Sequence, residues 1–519
     1  MFALWLLFLG LAGPVNPDAA CAGCHKQIYD SYQQTPMARA SGNAVDGLLP
    51  GEFTHAKSGV HYRLFLRDGR AWLSYEQPQR NLKGEQELEY FIGSGQRGRT
   101  YLFENQGFWF ESPVNWYGKQ RLWDMNPKSI DASEMPFTLE VDPGCLHCHT
   151  SDVQPSLPGA RNRFGAQPFL HAGITCESCH GDPAAHLASA GKAPILNPNK
   201  LPAAKRDSVC LQCHLEGELA VNKEGLSLAS FHPGEDLSTL VTHFVHAGEL
   251  GPNGRATSQW EALLQSECKR KSGDRLTCTT CHDPHRAPAA EEKVTYYRAR
   301  CLSCHGAIEY VVKHHPEQED CTSCHMPREE SSDVAHEQVT DHRIQRRPTQ
   351  GPAPQGGELT VVGGGPVSDR DLGLAYFQLA EQGNQTAGLR AKQLLEKSNA
   401  GESDTDVHTA LGVLDQLSGD TLGATLEYQT VLRANPADST AAGDLAILQA
   451  RSGDIKDAVK GLSWVATHDP ADTVAGLDLA MIQCAIGDSE AAVKTLQRLL
   501  EFSPDDQKAR AALAKPCSH

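Results

Sequence analysis

The stretch LTCTTCHDPHRAPAAEEKVTYYRARCLSCHGAIEYVVKHHPEQEDCTSCHMP, residues 276–327, holds three copies of one five-residue phrase. They are CTTCH from Cys278, CLSCH from Cys301 and CTSCH from Cys321. Working outward, the phrase recurs as CAGCH from Cys21, CLHCH from Cys145, CESCH from Cys176 and CLQCH from Cys210. These seven motifs absorb 14 of the 17 cysteines in the 519-residue chain. Composition alone would yield roughly 0.02 such motifs by chance. Three cysteines are left over: Cys268, Cys484 and Cys517.

C-x-x-C-H is the attachment pattern of c-type haem. Two thiols add across the porphyrin vinyl groups, and two intervening residues let one turn of backbone present both sulfurs to one ring edge. The pairs are Cys21 and Cys24, Cys145 and Cys148, Cys176 and Cys179, Cys210 and Cys213, Cys278 and Cys281, Cys301 and Cys304, and Cys321 and Cys324. The next residue reaches under the ring as the proximal iron ligand, here His25, His149, His180, His214, His282, His305 and His325. Zinc sites are also built from C-x-x-C pairs. Seven half-sites cannot pair evenly, and zinc does not require His directly after every second Cys. Disulfides would need neither the spacing nor the His. The expected cofactor complement is therefore seven covalently bound haems c.

Sixteen histidines lie outside the motifs, and thirteen of them precede the C-terminal tail. That is more than enough to cap seven irons. The better candidates for sixth ligands sit in short local patterns. His186 ends CHGDPAAH, His285 ends CHDPH, and His336 and His342 fall in VAHEQVTDHRI. His314 or His315 precedes the last motif, and His55 lies in FTHAKSG. A His shortly after a motif is expected to cap a neighbouring haem, not its own. His232, His243 and His246 lie in the long gap between Cys213 and Cys278, and His147 and His171 are weaker candidates.

The chain divides in two. Residues 21–346 carry every motif. The text RPTQGPAPQGGELTVVGGGP, within residues 347–370, reads as a Pro/Gly linker. From Asp371 onward the chain has 21 acidic and 12 basic residues and one Trp, Trp464. Gly419, Gly453 and Gly487 are spaced by 34 residues, as are Ala424, Ala458 and Ala492, Leu411, Leu445 and Leu479, and Pro436, Pro470 and Pro504. A 34-residue period with these small residues is the tetratricopeptide (TPR) pattern. Three good repeats start near Thr405, after a degenerate one from Asp371, and a remnant helix begins near Gln507. Cys484 is expected to pack within a repeat helix, leaving Cys268 and Cys517 as the thiols of open redox state. In the first half, HYRLFLRDGRAWLSYE and RTYLFENQGFWFES alternate apolar and polar residues, which predicts short antiparallel strands over about 50–125, covering the first haem. The predicted fold class is mainly α with many loops: a haem-cored domain with a small antiparallel β section, followed by an α-solenoid.

Net charge of −17 argues against a nucleic-acid binder. Only 40% of residues are hydrophobic, and the mean hydropathy is −0.42. That is lean for this length, and porphyrin would supply the missing core. Phe2–Ala12 is an apolar run too short to span a membrane, so residues 1–20 read as an export signal with a cut near Gly13 or Ala20. An exported, periplasmic chain suits c-type haem attachment, which takes place outside the bacterial inner membrane.

CAGCHKQIYDSYQQTPMARA resembles the opening of tetrahaem cytochromes c related to the electron carrier of ammonia oxidisers. Their pattern C-x-x-C-H-x3-Y-x2-W-x4-H-A implies a distal ligand at the late His. Here Met37 stands in that place and Tyr32 replaces the Trp. The segments IGSGQRGRTYL, PVNWYGKQRLWDMNP, ITCESCHGDPAAH and CTSCHMPREE are similar to exported multihaem cytochromes fused to TPR repeats. Arg97 and Gln259 stand where some relatives carry His. The resemblance implies an electron-transfer relay whose repeats dock a redox partner protein. The alternative is an oxidoreductase of small nitrogen or sulfur oxyanions, like the multihaem nitrite reductases and hydroxylamine-oxidising enzymes. The nitrite reductase signature C-x-x-C-K is absent, since all seven motifs end in His, and no catalytic residue is assigned.

Overall fold

The computed structural model describes residues 17–247, 258–306, 319–328, 340–346, 357–398 and 400–517. The first motif lies in the helix Ala19–Tyr32, whose backbone leaves helical geometry at His25 (φ −112°, ψ 36°). The other motifs end or form short helices: Pro143–His149, Glu177–His180, Ala203–His214, Cys278–Cys281, Lys293–His305 and Cys321–His325.

Between the first and second motifs the predicted strands are present and extend further than expected, from Ser41 to Glu140. Gly51–Thr54, His61–Arg67, Arg70–Gln77 and Leu82–Leu88 form an antiparallel meander. A second antiparallel sheet orders Ser41–Asn43, Tyr90–Ile92, Gly98–Asn105, Phe108–Tyr117 and Leu139–Glu140, with Leu122–Met125 also on Phe108–Tyr117. The alternation noted in HYRLFLR puts Tyr62 and Leu64 inward, where they pack with Leu73, Phe103, Phe110 and Met125. Such alternation is what a half-buried strand requires. Tyr90, Ile92, Leu102 and Trp109 pack on Leu146 and Cys145 of the second motif's helix.

The C-terminal helices pair as Asp369–Glu381 with Gln385–Lys397, Thr405–Ser418 with Thr421–Ala434, Ser439–Ser452 with Ile455–His468, and Thr473–Ala485 with Ser489–Phe502. A lone helix, Gln507–Ala514, follows. Their shared sequence signals have shared jobs. Asp404, Asp420, Asp438, Asp454, Asp472, Asp488 and Asp506 each cap a helix N-terminus through the side chain, so much of the tail's acidity is capping. Gly419, Gly453 and Gly487 turn the chain at φ 85°, 92° and 86°, a region costly for residues with a Cβ. Ala424, Ala458 and Ala492 are fully buried where paired helices approach.

The repeats are joined to the first half at both ends. At the start, Leu359–Val361, within the expected linker, pairs as a strand with Val241–His246, itself paired with Leu219–Asn222. Leu219, Val221 and Phe244 share one core with Leu374, Leu395 and Leu411. Asp371 is bonded by Lys223 and by Thr242 (2.9 Å). At the far end, Phe502 is buried edge-on against Phe108 and Phe110. Buried Asp505 accepts from the Met135 amide (2.7 Å) and pairs with Arg80 (3.0 Å). A Pro/Gly composition marks a chain that cannot continue a helix, and it does not preclude a short edge strand. Cys484 packs in its repeat helix as expected, and Cys517 is corrected: it is disulfide-bonded to Cys484, fastening the last helix to the final repeat.

Candidate functional site

All seven motifs open onto one continuous cavity of about 3440 Å³. A single small-molecule site occupies roughly 300–1,000 Å³. Every motif Cys and every motif His lies on its wall, together with His147, His186, His232, His243, His285 and His342. Met37, Arg97 and Gln259 line it too. Among the described residues no disulfide joins motif cysteines. Burial pushes the Cys145 thiol up to about 12 and the Cys301 thiol up to about 11, while Cys148 and Cys210 are pulled down by neighbouring Cys213 and Cys278.

Three pairs of imidazoles face each other across this cavity. His25 and His186 have ring centroids 6.4 Å apart with planes 13° from parallel. His180 and His285 are 6.0 Å apart at 11°, and His282 and His342 are 6.3 Å apart at 30°. A metal–imidazole bond is about 2.0 Å and the nitrogen sits about 1.1 Å from the centroid, so two rings trans on one metal have centroids about 6.2 Å apart. The centroid spacings therefore match those of two imidazoles sharing one metal, as haem iron would require.

The outer nitrogens are held in the matching way. His186 Nδ1 donates to the Ala193 carbonyl (2.7 Å), His180 Nδ1 to Leu196 (2.8 Å) and His342 Nδ1 to Thr340 (2.7 Å). His325 Nδ1 does the same to Gln345 (2.8 Å). A donated Nδ1–H fixes the tautomer and leaves Nε2 as the lone-pair nitrogen. His282 has the Tyr297 hydroxyl at 3.4 Å and His285 the Asp283 carboxylate at 3.6 Å. Burial also lowers the pKa of His282, His285, His342 and His214, which favours the neutral ring that binds metal. These carbonyl partners lie outside the motifs, and no local signal in the sequence marks them.

Cysteines of different motifs lie near one another: Cys21 and Cys176, Cys148 and Cys213, Cys210 and Cys278, and Cys301 and Cys321 are close enough to shift each other's titration. Cys179 lies close enough to Cys210 and Cys213 to raise their pKa values, and Cys304 does the same to Cys281. Neighbouring attachment edges therefore run from the first motif to the third, fourth, fifth, sixth and seventh, with the second joined at the fourth.

Other sequence candidates fall elsewhere. His55 is corrected: it is buried in the β section, off the cavity, with Nδ1 on Ser58 (2.9 Å) and Nε2 on the Ile130 carbonyl (3.1 Å). His171 pairs with Asp152 and His246 with Glu218, both off the cavity wall. His147 bonds Gln212 (3.1 Å). His314, His315 and His336 lie outside the described residues. His243 is on the wall, and burial pushes it down to about 4. His232 is exposed at the rim.

Family models match at residues 118–181 (cytochrome c554 and c-prime), 270–309 (doubled CXXCH motif) and 462–515 (tetratricopeptide repeat). The multiheme cytochrome MtrA of Shewanella baltica is 26% identical over 208 residues, covering 35% of this chain and 60% of that protein. The chain thus spans somewhat under two thirds of this relative's length. Among solved structures, MamA (AMB-1) is 22% identical over 28% of this chain and 77% of its own, with a TM-score of 0.25. A tetratricopeptide repeat protein from Parabacteroides merdae is 18% identical over 27% of this chain and 57% of its own, with a TM-score of 0.24. The motifs and family matches identify a multihaem c-type cytochrome carrying TPR repeats.

Proposed function

We infer that the chain is a periplasmic electron-transfer relay of seven haems c, with TPR repeats that brace the haem half and offer a surface to a redox partner protein. The observation that carries this reading is that all seven motifs line one continuous cavity, with cysteines of different motifs close to one another. Bound haem iron supplies reversible one-electron chemistry at potentials set by axial ligand and burial. The chain's residues do the rest. The motif cysteines hold ring edges side by side, and the paired histidines present two lone pairs to each of three irons. The Nδ1–H bonds to Ala193, Leu196 and Thr340 fix those rings against rotation.

Among the described residues no helix is long and apolar enough to cross a membrane. Periplasmic location rests on the N-terminal apolar run and on the chemistry of c-type attachment. The test is a haem count by pyridine haemochrome, with spin state read on the same sample. Seven low-spin, six-coordinate haems support a relay. A five-coordinate haem in the wild-type protein that reacts with nitrite or hydroxylamine would favour the oxidoreductase.

A further inference from the structure

His243 belongs to none of the three pairs. It is 5% exposed, lies on the cavity wall, and neither ring nitrogen hydrogen-bonds a described residue. The ring lies on the cavity wall with no protein partner among the described residues, which leaves its nitrogens to an occupant of the cavity.

The strand Val241–His246 shows which occupant. Side chains alternate across a strand. Thr242 and Phe244 point to the repeats, where Thr242 bonds Asp371 and Phe244 packs with Leu374 and Leu395. Val241 points the other way and packs with Leu211 and Leu215, around the end of the helix Ala203–His214. His243 shares the face of Val241. Between His214 and the paired strand the chain turns at Gly217 (φ 66°), where an added Cβ would lie 3.3 Å from the His243 Cβ. The strand that carries His243 therefore runs directly beside the exit of the fourth motif.

We propose that His243 is the sixth ligand of the haem iron held by Cys210, Cys213 and His214. The proposal rests on the haem reading of the motifs. It also assigns a ligand that the sequence left open between several histidines and Met37.

The test uses the full-length, haem-loaded protein and its His243→Ala and His243→Met variants, read by EPR, resonance Raman and CO binding to the reduced form. His243→Ala is expected to convert one haem per chain from low to high spin and to add one CO site, and imidazole should return it to low spin. His243→Met should keep that haem low-spin, add the near-infrared thioether band and raise one potential. Removing the fourth attachment site as well (Cys210→Ala with Cys213→Ala) should abolish the new high-spin signal. A His243→Ala protein with unchanged spin states and CO binding overturns the proposal. So does a high-spin signal that survives loss of the fourth site, which would place His243 at the second motif beside it. The haemochrome count reads the underlying assumption separately. A wild-type count below seven overturns the seven-site reading, whereas a full count with no spin change in the variant overturns only the role of His243.

Discussion

His25 and His186 face each other with ring centroids 6.4 Å apart and planes 13° from parallel. His186 follows the third motif, yet it faces the proximal ligand of the first. The offset repeats. His285 follows the fifth motif and faces His180 of the third, and His342 follows the seventh and faces His282 of the fifth. On the proposed reading each of these motifs would serve two sites at once, its cysteines one ring and its trailing imidazole another. Removing one trailing His should open one iron without detaching its haem.

His186→Ala is accordingly expected to leave the haem count unchanged and to turn one haem high-spin and CO-reactive. His285→Ala and His342→Ala should each do the same at a different potential. His186 is half-buried on the short helix Ala184–Ala188, so the fold should tolerate its loss. Resonance Raman and CO titration of each variant check this. A variant that stays fully low-spin would show that the facing ring is not the ligand.

The parts of the fold that were legible in the sequence are those written in local spacing. Two residues between thiols and 34 between equivalent glycines are short-range constraints, and the motif helices and the repeat helices follow them closely. His186, His285 and His342 were legible as candidates because each trails a motif, by 6, 3 and 17 residues, although the ring each one faces was not. What escaped depends on contacts between distant segments. His55 looked available until Ser58 and the Ile130 carbonyl took both its nitrogens. The text around Gly357–Gly365 looked like a free tether until Val241–His246 supplied an edge to pair with. Nothing near Phe502 announces that it fills a hole between Phe108 and Phe110.

That last contact makes the repeats structural as well as a docking surface. Deleting residues 371–519 would uncover Phe108, Phe110, Val221 and Phe244, and the remaining half is expected to aggregate or load haem poorly. A milder test is Phe502→Ala, which should cost about 3–5 kcal/mol, as expected for truncating a buried Phe. Asp505→Ala strands Arg80 and the Met135 amide and should cost about 3 kcal/mol. Denaturant unfolding of the holoprotein measures both. Near-wild-type midpoints for both variants would mean the two halves are separable.

A second contact between the halves is sensitive to pH. Glu140 is held up to about 7, first by burial and then by the neighbouring Asp469 carboxylate to which it hydrogen-bonds, with Arg161 pulling the other way. Asp469 is raised too, by burial, despite a hydrogen bond from Ser439 (3.0 Å), and Asp142 and Asp472 add negative charge nearby. An unfolded Glu titrates near 4.3. Between roughly that pH and 7 the folded state keeps a proton the unfolded state has lost, so stability falls as pH rises through this window and levels off above it. Glu140→Gln removes this part of the slope. The variant should gain on wild type between pH 5.5 and pH 8, read as the difference in urea midpoint. Glu89 and Glu261, also held up to about 7 by burial, give wild type and variant the same background slope. Equal slopes in the two proteins would remove Glu140 as a contributor.

The thiol inventory gives a final prediction. Cys484 and Cys517 are joined across a sequence separation of 33, and the loop they close includes the last helix, Gln507–Ala514. From that helix Arg510 bonds the backbone carbonyls of Arg80 and Asn81 in the β section. Closing a loop of this size stabilises by about 3–4 kcal/mol through the unfolded chain. Cys484→Ser should therefore lower the unfolding midpoint without changing the haem spectrum, because neither sulfur lines the haem cavity. On the proposed reading fourteen sulfurs form thioethers and two this disulfide, so Cys268, half-buried near Cys281 and Cys304 on the cavity wall, would be the single thiol left. Alkylation of the denatured, unreduced holoprotein should label one cysteine per chain, and three after reduction. Three labels before reduction would show that the disulfide does not form. More than three after it would show that some motif cysteines hold no haem.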